Sequence, residues 1–306
     1  MAAIKTVLLV GGSGFLGGWV AGQLAERGIR VRVPSRDRRH CKWLVPVPSA
    51  EFVRADVSDP ATLQTVMQGV DAVVNLVGIL HDRDGSRPYG KGFSAAHVGV
   101  PQQLIAAMRQ GGVCRAVHVS ALRAAADAPS AYLRSKAAGE AVWLAARDDV
   151  DVTIFRPSVI FGANDAFLNM FAALLRVFPV LPLAGADARF QPVFVGDVAA
   201  VIVDALGKEG TFGQVYELGG PRVYTLRELV AYTAALQGRR RLIIGLPGPL
   251  AQLQAMLLSL LPEPPMTPDN LRSMLLENVT DGRHNYPDWQ PAALESVAPG
   301  YLGPHG

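Results

Sequence analysis

The chain has 306 residues, half of them apolar and 18% charged, with a formal net charge of +3. That is enough apolar material for a large core in one domain or one and a half, and the small arginine excess forms no basic tail of the kind that binds nucleic acid. The two cysteines, Cys41 and Cys114, have neither metal-ligand spacing nor a disulfide framework, which points to a reducing, cytoplasmic setting and to no metal site.

Thr6–Val10, "TVLLV", is too short for a secretory signal and reads as a first strand. It runs directly into "GGSGFLGG", where Gly11, Gly14 and Gly17 give G-x-x-G-x-x-G ahead of a helix over Phe15–Arg27. A strand before the glycines and a helix after them suit a dinucleotide pyrophosphate. The first glycine turns the chain, the second admits the phosphates, and the third packs helix on sheet. Ser13, Phe15 and Leu16 fall inside this cradle. The second strand, Val31–Pro34, leads to Ser35 and Arg36, with Arg38 and Arg39 behind. An NAD site usually has an acidic residue here, about 20 residues past the glycines. A guanidinium suits the 2′-phosphate instead, so NADP(H) is the expected cofactor, with NAD(H) second because Asp37 adjoins.

The third strand, Glu51–Asp56, ends where Asp56 and Val57 would meet the adenine. After a helix over Ala61–Gln68, the strand Ala72–Gly78 carries Leu76, Val77 and Gly78 beneath the nicotinamide-side ribose. His81 and Asp82 follow as an exposed loop. A helix over Val100–Gln110, the strand Arg115–Ser120 with His118 packed inside it, a helix over Ser130–Ala146 and the strand Val152–Ser158, with Pro157 at the cofactor end, complete the alternation. Near-continuous apolar strands separated by helices predict a Rossmann-type, doubly wound parallel α/β sheet.

In "AYLRSKAAGE" Tyr132 and Lys136 are one helical turn apart and share a face. A tyrosine beside an ammonium is a candidate proton donor, and the charge is expected to lower its pKa. Residues 1–162 are assigned to the dinucleotide domain. Residues 163–306 supply the remaining Rossmann elements and a smaller substrate or partner lobe, with helices over Ala166–Val177, Val198–Leu206 and Thr225–Gln237, a strand in "QVYELGG" and a proline-rich tail. Leu242–Leu261 carries no charge and follows Arg239, Arg240 and Arg241. Gly245, Pro247, Gly248 and Pro249 leave only about a dozen helical residues, too few to span a bilayer. Burial of its leucines against the rest of the lobe is the expectation. Peripheral contact with a membrane, at its inner face, or with a partner is the alternative.

The glycine motif, the Tyr132/Lys136 pair, "RPSVIFG" (Arg156–Gly162) and "FQPVFVGDVA" (Phe190–Ala199) resemble the extended short-chain dehydrogenase/reductase (SDR) superfamily over nearly the whole chain. "HVSALRAAADAPSAYLRSKAAGE", "FLNMFAALLR" and "VPSRD" are similar to its atypical branch, which includes an NADPH-binding accessory subunit of respiratory complex I. That resemblance implies a held dinucleotide, with a respiratory complex or a hydrophobic, quinone-like ligand as partner. The superfamily's reaction site uses Asn, Ser, Tyr and Lys. Tyr132 and Lys136 match, and Ser120 matches the first of a serine pair, but His97 stands at the Asn position and Ala121 where the polarising hydroxyl falls. Losing one such donor costs on the order of 10²–10³ in rate. The resemblance therefore implies an accessory or assembly role or slow oxidoreduction. The alternative is a soluble epimerase or dehydratase acting on a small carbonyl or a sugar nucleotide, which would need a more polar lobe than "MFAALLRVFPVLPLAG" offers.

Overall fold

Five consecutive buried residues, Thr6–Val10, form β1. Burial on both faces requires neighbours on both edges and helices above and below. The neighbours are β2 (Arg30–Ser35) and β4 (Ala72–Asn75), both parallel to β1. With β3 (Ala50–Arg54), β5 (Arg115–Val119), β6 (Asp151–Pro157) and β11 (Val215–Leu218) they make one parallel seven-stranded sheet in the order β11-β6-β5-β4-β1-β2-β3. The structure, a computed structural model, describes residues 3–39, 41, 47, 49–262 and 264–303.

Alternate side chains of β1 feed two separate cores. Val7 and Leu9 pack with α1 (Phe15–Glu26) and α7 (Val195–Leu206), while Leu8 and Val10 pack with α2 (Pro60–Met67), α4 (Val100–Gly111) and α5 (Ala131–Ala145). On that second face a short α3 (Lys91–Phe93) continues into a π-helical turn, Ser94–Gly99, before α4. The sheet and its two helical layers are the predicted Rossmann arrangement.

The later chain adds α6 (Phe167–Val177) and α8 (Leu226–Leu236), which meet over a third core containing Phe171, Leu175, Leu229 and Val230. Three two-stranded pairs brace it: β7 (Ile160–Phe161) with β10 (Val193–Phe194), β9 (Arg189–Phe190) with β12 (Tyr224–Thr225), and β8 (Val180–Leu183) with β13 (Leu242–Gly245). The lobe closes with α9 (Gly248–Leu258), α10 (Pro268–Ser273), α11 (Leu294–Val297) and α12 (Pro299–Leu302).

Two expectations need correction. The third strand is Ala50–Arg54, so Asp56 and Val57 lie in the loop beyond it. The leucines of the outer face of α9 are not buried: Leu250 is 51% exposed, Leu253 52% and Leu257 60%, as is Leu260 just past the helix at 78%; only Leu258 is partly buried. The helix sits on its alanines instead. Ala251 and Ala255 are its buried residues, in a small core with Ala184 and Met266. The alanines pack beside Ala184, just past β8, and the leucine stripe is left outside. Among the described residues no helix is long and apolar enough to cross a membrane.

Candidate dinucleotide and reaction site

At the carboxyl end of β1, Gly11 has φ +76° and an added Cβ there would lie 2.8 Å from the Val77 amide, so this turn also abuts the end of β4. A Cβ on Gly17 would run into the Gly12 carbonyl. Gly14 differs: a Cβ there meets only the Gly11 carbonyl oxygen at 3.4 Å. Gly14 is the N-cap of α1, without a side-chain cap and with no acidic residue in the first turn. The α1 N-terminus therefore presents amides without a competing carboxylate, which suits a diphosphate. Ser13, Phe15 and Leu16 surround it, and the Phe15 ring reaches the Gly162 position at the end of β7.

Arg36 and Arg38 are exposed beyond β2. Asp37 accepts bonds from the Arg39 amide and guanidinium, the shortest 2.6 Å, which offsets the one acidic charge that counted against an NADP pocket. Asp56 accepts from the Ser58 hydroxyl at 2.6 Å and the Ser58 amide at 3.0 Å. These bonds, helped by Arg36, hold its pKa below the usual carboxylate value. Beneath the crevice, the Leu76 amide donates to Val10 and the Val77 amide to the Asn75 side chain. Gly78 passes so near Lys136 that a Cβ would lie 3.1 Å from the Lys136 Nζ. Pro157, at the end of β6, accepts from the Leu122 amide.

α5 carries Tyr132 and Lys136. Its first turn is capped twice: Ser130 Oγ accepts from the Leu133 amide, and the Asp269 carboxylate accepts from the Ala131 and Tyr132 amides at 2.9 and 3.0 Å. Asp269 belongs to α10, so the distal lobe completes the helix on which Tyr132 stands. Local sequence reading misses this. "TPDN" signals only that residue 267 caps its own helix, which it does by a capping box.

Lys136 donates to the Val119 carbonyl at 3.1 Å and to Val77 at 3.4 Å. Burial pushes its pKa down to about 8, partly countered by Glu140. Tyr132 is pushed up to about 12 by burial. That is opposite to the expected direction, because loss of solvation outweighs an ammonium already directed at two carbonyls. Glu140 itself accepts from Arg156 at 2.9 and 2.5 Å, joining α5 to β6.

His97 sits in the π-helical turn, stacked on Phe93 and edge-on to the Tyr132 ring. The Ser135 hydroxyl donates to the Tyr132 carbonyl, so His97 Nδ1–H donates to Ser135 Oγ at 2.8 Å, and Nε2 accepts from the Ile79 amide at 3.1 Å. Burial, then the charge of Lys136, hold its pKa at about 3. It is neutral with both nitrogens engaged. His118 is packed as expected: Nδ1 accepts from Asn75, Nε2 has no partner, and burial keeps its pKa well below the usual value. Ser120 is buried with its hydroxyl unpartnered, next to buried Ala121. His81 is half-buried, and Asp82 is spent on the Asp84 and Phe93 amides. Among the described residues no cluster of three or more His, Cys, Asp or Glu is placed to hold a metal.

The sequence profile of the NAD dependent epimerase/dehydratase family matches residues 7–219, from β1 through β11. The chain belongs to that family. This epimerase/dehydratase-family protein is 35% identical to the mitochondrial NADH dehydrogenase [ubiquinone] 1 alpha subcomplex subunit 9 of Arabidopsis thaliana, over 80% of this chain and 61% of the relative. It is 33% identical to the Mus musculus protein of the same name, over 75% and 60%. The chain thus spans about 60% of the length of these relatives. It is also 32% identical to a ceramide reductase of Caulobacter vibrioides, over 79% of this chain and 74% of that one. Among solved structures, the UDP-glucuronic acid 4-epimerase of Bacillus cereus in complex with UDP-glucuronic acid and NAD superposes with a TM-score of 0.72 at 18% identity, covering 97% and 99% of the two chains. The likeness of this family member to that enzyme is one of fold.

Proposed function

We propose that the protein is an NADP(H)-binding SDR that retains its dinucleotide and turns it over slowly, in the service of the respiratory chain or of quinone metabolism. The observation that carries this reading is His97. With Nδ1 committed to Ser135 and Nε2 to the Ile79 amide, it braces the loop after β4 and has no nitrogen left to pass protons to solvent. The relay that rapid carbonyl chemistry requires is thereby replaced by a fixed support.

In this reading Gly11, Ser13, Gly14, Phe15, Leu16 and Gly17 receive the diphosphate, and Arg36 the 2′-phosphate. Asp56 and Val57 flank the adenine, and Leu76, Val77, Gly78 and Pro157 form the wall at the nicotinamide end. The bound dinucleotide supplies a hydride. Lys136 holds the ribose hydroxyls, Tyr132 offers the proton, and Ser120, just past β5 with an unpartnered hydroxyl, is the group left to polarise a carbonyl, Ala121 contributing none. The complex I relatives favour an accessory or assembly role, with peripheral rather than spanning membrane contact.

A second reading, reduction of a lipid-like carbonyl or quinone, is favoured by a cavity of about 900 Å³ in the distal lobe with a mainly apolar wall and by the ceramide reductase relative. To test the proposal, the protein is purified without added cofactor and denatured, and the released nucleotide is identified. NADPH or NADP⁺ is expected, and NAD⁺ or an empty protein would refute retention of NADP(H). Steady turnover of NADPH above about 1 s⁻¹ with a short-chain quinone or a lipid ketone would overturn the slow-turnover half.

A further inference from the structure

The outer face of α9 is an aliphatic stripe. Leu250, Leu253 and Leu257 recur at helical spacing, continue into Leu260 and Leu261, and are all 46% exposed or more. Gln254 ties the helix to the free edge of β8, donating to the Pro182 carbonyl and accepting from the Ala184 amide. On the adjoining β8/β13 pair, Val180, Leu242 and Ile244 are also exposed. No acidic residue occurs from 242 to 261. Cations frame both ends: Arg239 and Arg240 are exposed just before β13, and Arg83 donates to the Leu261 and Pro262 carbonyls. An aliphatic face without acidic groups, bordered by guanidinium groups, complements an anionic bilayer, whose head groups take the arginines while its acyl region takes the leucines.

The cavity adjoins α9. Met256 of that helix and Leu275, beyond α10, both line it, and each is more than half exposed. Its inner wall is Ala251, Leu271 and Met274, with Arg227 and Arg272 as the cations and the Asp187 carboxylate beside them; Arg272 also lies 3.6 Å from the Asp269 carboxylate. The far wall is the α10 segment, which reaches the Tyr132 amide through the Asp269 cap, and just beyond it Leu276 packs against the same small core, Ala121, Ala128 and Leu133, as Tyr132.

We propose that α9 docks the protein on an anionic membrane and that the cavity opens towards that membrane as a portal for one amphiphile, its chain along the apolar wall and its polar head at Arg227 and Arg272. This rests on the reading of an apolar ligand given above, and adds where that ligand comes from. No chemical step is implied.

The full chain, carrying its nucleotide, is sedimented with phosphatidylcholine vesicles with and without about 30% phosphatidylglycerol. Binding to the anionic vesicles only is expected. Leu253→Glu/Leu257→Glu, at exposed positions that leave the fold intact, should weaken it by at least about tenfold, and Arg239→Glu/Arg240→Glu should weaken it in a salt-dependent way. No sedimentation of the native protein, or equal sedimentation of the leucine variant with an unchanged circular dichroism spectrum, overturns the docking. The portal is tested separately with a fluorescent fatty acid. Gln252→Trp, at the cavity rim, should lower its affinity about tenfold or more while vesicle binding stays. Unchanged fatty-acid affinity in that variant overturns the portal. Neither measurement depends on turnover or on which nucleotide is released, so failure here is distinct from failure of the functional reading.

Discussion

Gly14 and Gly17 are three residues apart, yet a side chain at each would do different damage. At Gly17 the first carbon collides with the Gly12 carbonyl, so Gly17→Val should fail to fold. At Gly14 the space is open on the protein side, and Gly14→Val should keep the melting temperature near that of the native chain while abolishing dinucleotide binding. Unchanged affinity in a folded Gly14→Val protein would remove the cradle from the account. The two buried histidines make a second residue-level prediction. His97 and His118 are held neutral in the fold but take up protons at about pH 6.5 once unfolded, so the unfolded chain binds more protons below that value. Stability should therefore fall as pH drops from about 6.5 towards 3. Thermal unfolding between about pH 7 and pH 5 measures it, and His97→Asn should flatten the slope; an equal slope in that variant would refute the assignment. The glycines were legible because they answer to their own backbone. The role of His97 was not, since its partners Ile79 and Ser135 come from two other elements.

At the level of elements, α5 depends on a carboxylate it does not carry. Removing it in Asp269→Ala should cost about 1–2 kcal/mol, and amide exchange should quicken first at Ala131 and Tyr132, the two donors. Protection unchanged at those amides would mean that Ser130 suffices alone. The seven strands and the longer helices of the sheet domain were readable because each has a period and a buried face, whereas the helical segment Lys91–Gly99 ahead of α4 was not. α9 was misread for a physical reason: a leucine stripe has the same period whether protein or another apolar phase covers it. The distinguishing sign was Ala251 and Ala255 on the opposite side, which form the buried side of the helix with Ala184 and Met266. β8 and β13 were missed because each is a four-residue strand whose partner is some sixty residues away.

For the molecule as a whole, the boundary drawn at residue 162 runs through shared structure. β11 pairs with β6 in register from Val215 to Leu218, and α7 buries Val198, Ala199 and Ile202 in the core beneath β1. A fragment of residues 1–162 would expose the β6 edge and half of one sheet face. It should aggregate or remain unstructured, as judged by circular dichroism and size-exclusion chromatography; a soluble, folded fragment would show that the later elements are dispensable. The Asp269 cap also has a place in time. Its codon follows that of Tyr132 by 137 residues, so at about 5–20 residues per second on the ribosome the helix waits roughly 7–27 s for its carboxylate. The sheet can assemble during that interval with the first turn of α5 still fraying, and the tyrosine sets last, when the nascent chain returns to it.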